Sequence, residues 1–320
     1  MAQPTALVDR ATSQVDISEL LQEDAEIKTI TVGEISDRVP GFLQSETEDL
    51  GLQFLVQLRE RRWHIDAAYD FQYYFTNNFF LVEPDTPLGE ASTTVMTHTF
   101  DAGIDYGPFR VAGGELNWYS GVQYQRYLHG IGADEDFDDF DFDSQLLFTE
   151  LEYRFWKRWV ARAGVQYQRL VAFRDDFDEF YYDLGPYVRL RGTYRLGRSH
   201  VLVPSAGVHW RFTNVNSLGL QPINVNDRWE SDLSLNYFYI WRQLTVGAFG
   251  RFEWSQYAQP PFADRDDYVG TAGGSINYSI TNWLSARVYG LYEARESDEP
   301  TTTDYRRWDV GFALNASYRY

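Results

Sequence analysis

From about residue 50 to the carboxyl end, side-chain character alternates with a period of two. Trp63, Ile65, Ala67, Tyr69, Phe71 and Tyr73 fall on one face of an extended segment, and His64, Asp66, Ala68, Asp70, Gln72 and Tyr74 fall on the other. The last segment repeats the scheme, with Trp308, Val310, Phe312, Leu314, Ala316, Tyr318 and Tyr320 set against Asp309, Gly311, Ala313, Asn315, Ser317 and Arg319. Similar stretches lie near 95–106, 115–128, 145–155, 159–173, 181–194, 201–213, 229–240, 244–254, 268–280 and 283–294. Each is long enough for a tilted strand to cross a hydrocarbon layer, which takes about 9–11 residues. A chain patterned this way is all-β, and the two faces of its strands meet two different environments.

The connections sort by length. Short ones fall at 59–62, 107–114, 156–158, 195–200, 241–243 and 281–282; long ones fall at 76–94, 129–143, 174–180, 214–228, 255–267 and 295–306. Short and long turns at opposite ends are the asymmetry of a transmembrane up-and-down antiparallel β-barrel, whereas a soluble sandwich has no reason to sort loops by end. An even strand count with both termini on the short-turn side predicts about 14 strands, the first drawn from residues 27–35, where β-branched residues alternate. Twelve is the alternative. Residues 16–26 suit a short helix capped by Asp16 or Ser18, and Pro40-Gly41 marks a turn. Residues 1–45 are therefore expected to form a short N-terminal periplasmic extension, contributing the first strand or serving as a tether, and residues 46–320 the barrel. Pro186 and Pro204 oppose the scheme, because proline removes a ladder donor; they mark bulges or misjudged boundaries.

No run of apolar residues approaches the roughly 18 that a membrane helix needs. Aromatic residues make up 17% of the chain, a density that suits strands and membrane interfaces. Trp63, Trp156, Trp159, Trp241 and Trp283 sit at or beside short turns, and Trp118, Trp229, Trp254 and Trp308 lie in or near strand ends. Indole prefers the headgroup boundary, so two girdles are expected. There is no cysteine, which excludes disulfides and thiolate metal sites. The net charge of −19 argues against nucleic acid as a partner, since its phosphates need a basic surface.

With these features in view, the sequence resembles bacterial outer-membrane β-barrel proteins of the porin-like kind, over roughly residues 46–320. The C-terminal strand carries the most specific part: Phe312, Leu314, Ala316, Tyr318 and a terminal aromatic, Tyr320. The resemblance implies residence in the bacterial outer membrane, delivery through the barrel assembly machinery, and outer-membrane lipid or lipopolysaccharide around the exterior. It implies no particular solute. Residues 1–20 have neither a basic n-region nor an apolar h-region. A barrel must cross the inner membrane, so a leader is expected to have been removed ahead of Ala2-Gln3, with Met1 added; a cytosolic protein is the alternative. A homo-oligomer, and a periplasmic or surface protein held by residues 1–26, remain open as partners.

The polar face carries the candidate site. Asp66, Asp70, Asp101, Glu150 and Glu152 come from early segments, and Arg162, Arg189, Arg191, Arg211 and Arg251 from middle and later ones. The expectation is an acidic wall facing an arginine wall, with a transverse field that selects polar solutes by charge. The alternative is a closed barrel in which these charges pair as a structural network. The run DEDFDDFDFD offers Asp134, Asp136, Asp138 and Asp139 as lesser candidates for a hard divalent cation, although it lacks the glycine and final glutamate of an EF-hand loop. No cofactor is called for. Catalysis is not expected: Ser205 and His209 share a face but stand about 13 Å apart along one strand, and no G-x-S-x-G or H-E-x-x-H occurs. Residues 28–34, KTITVGE, loosely resemble the energy-coupling box of active outer-membrane transporters, but this chain lacks their long plug and large barrel.

Overall fold

The computed structural model describes residues 63–81, 91–131, 137, 140–156, 158–172, 179–215, 226–260, 262–263, 265–299 and 304–319. The expected extension 1–45, the strand over 27–35 and the terminal Tyr320 lie outside the described residues. The elements are β1 (Trp63–Thr76), β2 (Thr93–Val111), β3 (Gly114–His129), β4 (Phe142–Phe155), β5 (Trp159–Ala172), β6 (Glu179–Gly192), β7 (Tyr194–Arg195), β8 (His200–Val215), β9 (Arg228–Trp241), β10 (Leu244–Tyr257), β11 (Asp266–Ser279), β12 (Leu284–Ser297) and β13 (Tyr305–Arg319). Neighbours in sequence pair antiparallel, β6 pairs with β8, and β1 pairs with β13 from Asp66↔Arg319 to Thr76↔Asp309. The sheet therefore closes on itself. The two-residue β7 only prolongs β6 along β8, so the ring among the described residues holds twelve long strands, the alternative count.

Tight turns sit at one end, as at Ala112–Gly113 and Arg242–Gln243, and longer connections at the other, as expected. One boundary differs. The short connection expected at 107–114 is largely strand, because β2 continues past Pro108 through a register shift between Tyr106 and Phe109. The true turn is Ala112–Gly113, with φ of 50° and 83°, and both positive values are what a primed two-residue hairpin requires. The two prolines mark gaps in one seam. Between β6 and β8 the register runs Tyr181↔Val215 to Leu184↔Phe212, then resumes at Tyr187↔His209, skipping Pro186. It stops at Arg191↔Ser205 and resumes at Tyr194↔Leu202, skipping Pro204. A residue without an N–H cannot complete a ladder, so the sheet is interrupted where they fall.

Alternation then sorts side chains in and out. Leu147, Leu151, Val188, Leu233, Leu235, Ile276, Val288, Val310, Phe312 and Leu314 are exposed on the exterior. A continuous apolar belt this large is a lipid-facing surface. Aromatic side chains bound it on both sides. On the short-turn side, Trp63 stacks on Tyr106 at 4.1 Å and meets Trp118 edge-on at 6.5 Å, with Trp156, Trp241 and Trp283 exposed nearby. On the other side, Trp210 meets Trp229 at 5.4 Å and Phe75 meets Trp308 at 5.3 Å. Outer-membrane barrels keep short turns in the periplasm and longer loops outside, and the two ends are named accordingly.

Candidate functional site

The strands that build the belt also present the opposite parity to the lumen. All ten predicted residues occupy inward positions: Asp66 and Asp70 on β1, Asp101 on β2, Glu150 and Glu152 on β4, Arg162 on β5, Arg189 and Arg191 on β6, Arg211 on β8 and Arg251 on β10. In a ring of twelve, β1 and β8 stand on opposite sides, so Asp70 and Arg211 face across the lumen.

Separate acidic and basic walls do not form. Inward residues at one level on neighbouring strands lie about 5 Å apart, and opposite charges meet there first. Arg162 donates from Nε to Glu152 at 2.7 Å and lies 3.5 Å from Glu150 on the adjacent strand. Arg189 pairs with Asp232 at 3.3 Å. Arg211 reaches Asp183 at 2.9 Å and Glu230 at 2.7 Å, and Arg251 pairs with Glu253 at 2.7 Å. On the early strands, amides also serve the acids: Gln72 donates to Asp70 and Gln123 to Asp101, each at 2.6 Å. The lumen wall is a lattice of local pairs, and a single transverse field between two walls is not what these residues build.

The lattice is dense toward the extracellular end. Arg228 adds a second guanidinium to Glu230 at 2.6 Å, and the Tyr181 hydroxyl donates to Asp183 at 2.9 Å. Arg265 and Arg295 share Asp267, with Arg265 lying 4.2 Å from the Tyr257 ring centroid. Arg307 and the Tyr305 hydroxyl share Glu293. Side-chain exposure there falls to 1% for Arg211 and 0% for Asp183. Nearer the middle and the periplasmic end it is 35% for Arg189 and 33% for Arg154. The extracellular connections contribute as well. Phe79, Phe80, Phe137 and Phe140 cluster together, and Phe79 packs 5.1 Å from the ring of His129, an inward residue that is almost inaccessible and lies 3.4 Å from Asp141. Through Phe79 this cluster packs against the inward extracellular end of β3.

Sequence reasoning missed much of the dense layer: Asp183, Arg228, Glu230, Asp267, Glu293, Arg295 and Arg307. The signal was present, since each keeps inward parity, but several lie within the residues by which the strands outrun their expected ends. Asp134, Asp136, Asp138 and Asp139 lie outside the described residues. Among the described residues no cluster of histidine and carboxylate side chains is arranged to hold a metal ion. Ser205 and His209 have separate company: Ser205 bonds Ser234 at 2.7 Å, while His209 stands 3.8 Å from Glu230.

No protein-family model matches the chain, and no curated protein does. Among solved structures, an outer-membrane channel from Pseudomonas putida F1 is similar with a TM-score of 0.50 and 11% identity, over 81% of this chain and 96% of that one. The translocator domain of the autotransporter NalP from Neisseria meningitidis gives 0.42 and 10%, over 89% and 95%. The NanC porin gives 0.41 and 9%, over 78% and 98%. At such identities the likeness concerns the fold alone.

Proposed function

We propose that this bacterial outer-membrane β-barrel is a channel for small polar or charged solutes, narrowest in its extracellular half. The observation that carries the proposal is the partial exposure of paired guanidinium groups, Arg154, Arg162 and Arg189, along the middle and periplasmic stretch of a twelve-strand lumen. Eight strands already leave an interior that side chains just fill, and twelve leave more. Charge left about one-third exposed on an inner wall needs water beside it, because an ionised group in a dry cavity is expensive. A wetted, charge-lined lumen passes solutes according to size and charge. The test is conductance in planar bilayers. Stepwise currents are expected, and Arg162→Ala, which uncovers Glu150 and Glu152, shifts the reversal potential in a salt gradient toward cations. A stably inserted protein that carries no current rejects the proposal.

A closed barrel is the second reading, and one observation favours it. The extracellular layer around Arg211, Asp183 and Asp309 is almost wholly inaccessible, as a structural plug of ion pairs would be. Permanent silence in bilayers at every voltage supports that reading against the channel.

A further inference from the structure

On β3 to β8, four inward rings reach sideways along the wall and lay the far end over a glycine of the preceding long strand; Phe238 and Phe249 lie likewise over Gly247 and Gly273, but toward the following strand. The hydroxyl end of Tyr119 on β3 lies over Gly103 on β2, 2.5 Å from where a Cβ would stand. The tip of Phe148 on β4 lies over Gly121 on β3, at 2.6 Å by the same measure. The hydroxyl of Tyr187 on β6 lies over Gly164 on β5, at 2.9 Å. The Nε2 of His209 on β8 lies over Gly185 on β6. A methyl group at Gly103, Gly121 or Gly185 would displace its ring, and at Gly164 it would meet the Thr149 carbonyl and the Glu150 Cβ as well as the Tyr187 hydroxyl. The glycines thus give the rings room beside the wall.

Together the rings form an oblique strip that climbs from the periplasmic side of β3 to the dense layer at β8. Tyr119 and Phe148 are 5.2 Å apart between centroids and inclined at 52°, and Tyr187 and His209 are 5.8 Å apart and inclined at 66°. Ionised and amide groups are interleaved with them. The Tyr187 hydroxyl donates to Glu150 at 2.6 Å, Arg162 lies beside the same carboxylate, and Arg189 and Gln123 face the strip from its two sides. A simple ion gains little from the rings. A purely apolar ligand would strip water from the charges without replacing it, which is costly. A molecule that offers C–H faces to aromatic rings and a rim of hydroxyls to carboxylate, guanidinium and amide satisfies both, and that description fits a sugar.

We propose that the strip of Tyr119, Phe148, Tyr187 and His209 is a carbohydrate-binding track along the lumen wall. The proposal deepens the channel reading and rests on it for transport, though not for binding. The test uses the full chain in planar bilayers with maltohexaose as probe and a polyethylene glycol of matched size as the control that cannot stack. Maltohexaose is expected to interrupt the current for longer than the glycol. Phe148→Leu and Tyr119→Leu each shorten those interruptions about two- to tenfold, the worth of one aromatic contact, whereas Tyr119→Phe, which keeps the ring, preserves them. Equal interruptions by sugar and glycol, or dwell times untouched by both leucine variants, overturn the track. A barrel that carries no current fails the channel reading instead. Calorimetric titration of the detergent-held protein with maltohexaose then decides the track alone: binding lost in folded Phe148→Leu supports it, and no binding by the unaltered protein overturns it.

Discussion

Replacing Arg211 by methionine keeps the side-chain stem and removes the guanidinium that holds two buried carboxylates. Asp183 loses its 2.9 Å partner and retains the Tyr181 hydroxyl; Glu230 loses a 2.7 Å contact and retains Arg228. Hydrogen bonds to charged groups contribute about 1.5–3 kcal/mol each, and two are broken at a site that water scarcely reaches. Breaking a buried pair from one side costs about 3–5 kcal/mol, because a charge is left without compensation. Arg211→Met is therefore expected to destabilise the barrel by about that amount. The assay is urea titration of folding in lipid vesicles, followed by the shift in electrophoretic mobility between folded and unfolded barrel. Arg189→Met is the control: its pair with Asp232 is part-exposed, and its loss costs about 0–1 kcal/mol. Adding Asp183→Asn to Arg211→Met removes the stranded charge and is expected to restore most of the stability, since Glu230 keeps its pair with Arg228. If Arg211→Met costs no more than Arg189→Met, the extracellular layer is wet, and the division of the lumen into a dense half and an open half is refuted.

Three further outcomes follow from the same geometry. Leu235 sits midway along β9 on the exterior, so Leu235→Arg is expected to cost about 2–4 kcal/mol in vesicles, against about 0–1 for the same change near the membrane boundary; Leu196→Arg in a periplasmic turn serves as the comparison, and equal costs would contradict the lipid-facing assignment. Amide hydrogens along the β6–β8 seam, broken beside Pro186 and Pro204, are expected to exchange faster than those along β3–β4, whose register runs unbroken from Glu115 to Tyr127; equal protection would contradict the seam. Phe79→Ala with Phe137→Ala loosens the aromatic cluster over His129, and a larger single-channel conductance is expected; an unchanged conductance means the cluster does not guard the mouth.

Period-two patterning made the inside and outside of every strand legible without coordinates. Successive side chains on an extended backbone point oppositely whatever the strand pairs with, so Asp66, Arg189 and Arg211 could be assigned to the lumen, and Leu314 and Phe312 to lipid, from sequence alone. Loop length and tryptophan position gave orientation for the same local reason. What lay beyond the sequence was who meets whom. The pairing of β1 with β13 that limits the ring to twelve strands joins residues more than two hundred positions apart, and no local pattern specifies it. Arg162 could be read as inward, but its place beside Glu150 and Glu152 depends on the β4–β5 register. That register turned two imagined walls into neighbouring ion pairs, because charges on adjacent strands are far closer than charges across a lumen. The rings over Gly103, Gly121, Gly164 and Gly185 are likewise invisible in one dimension. A glycine in a strand reads as weakness until the sheet shows which side chain lies across it.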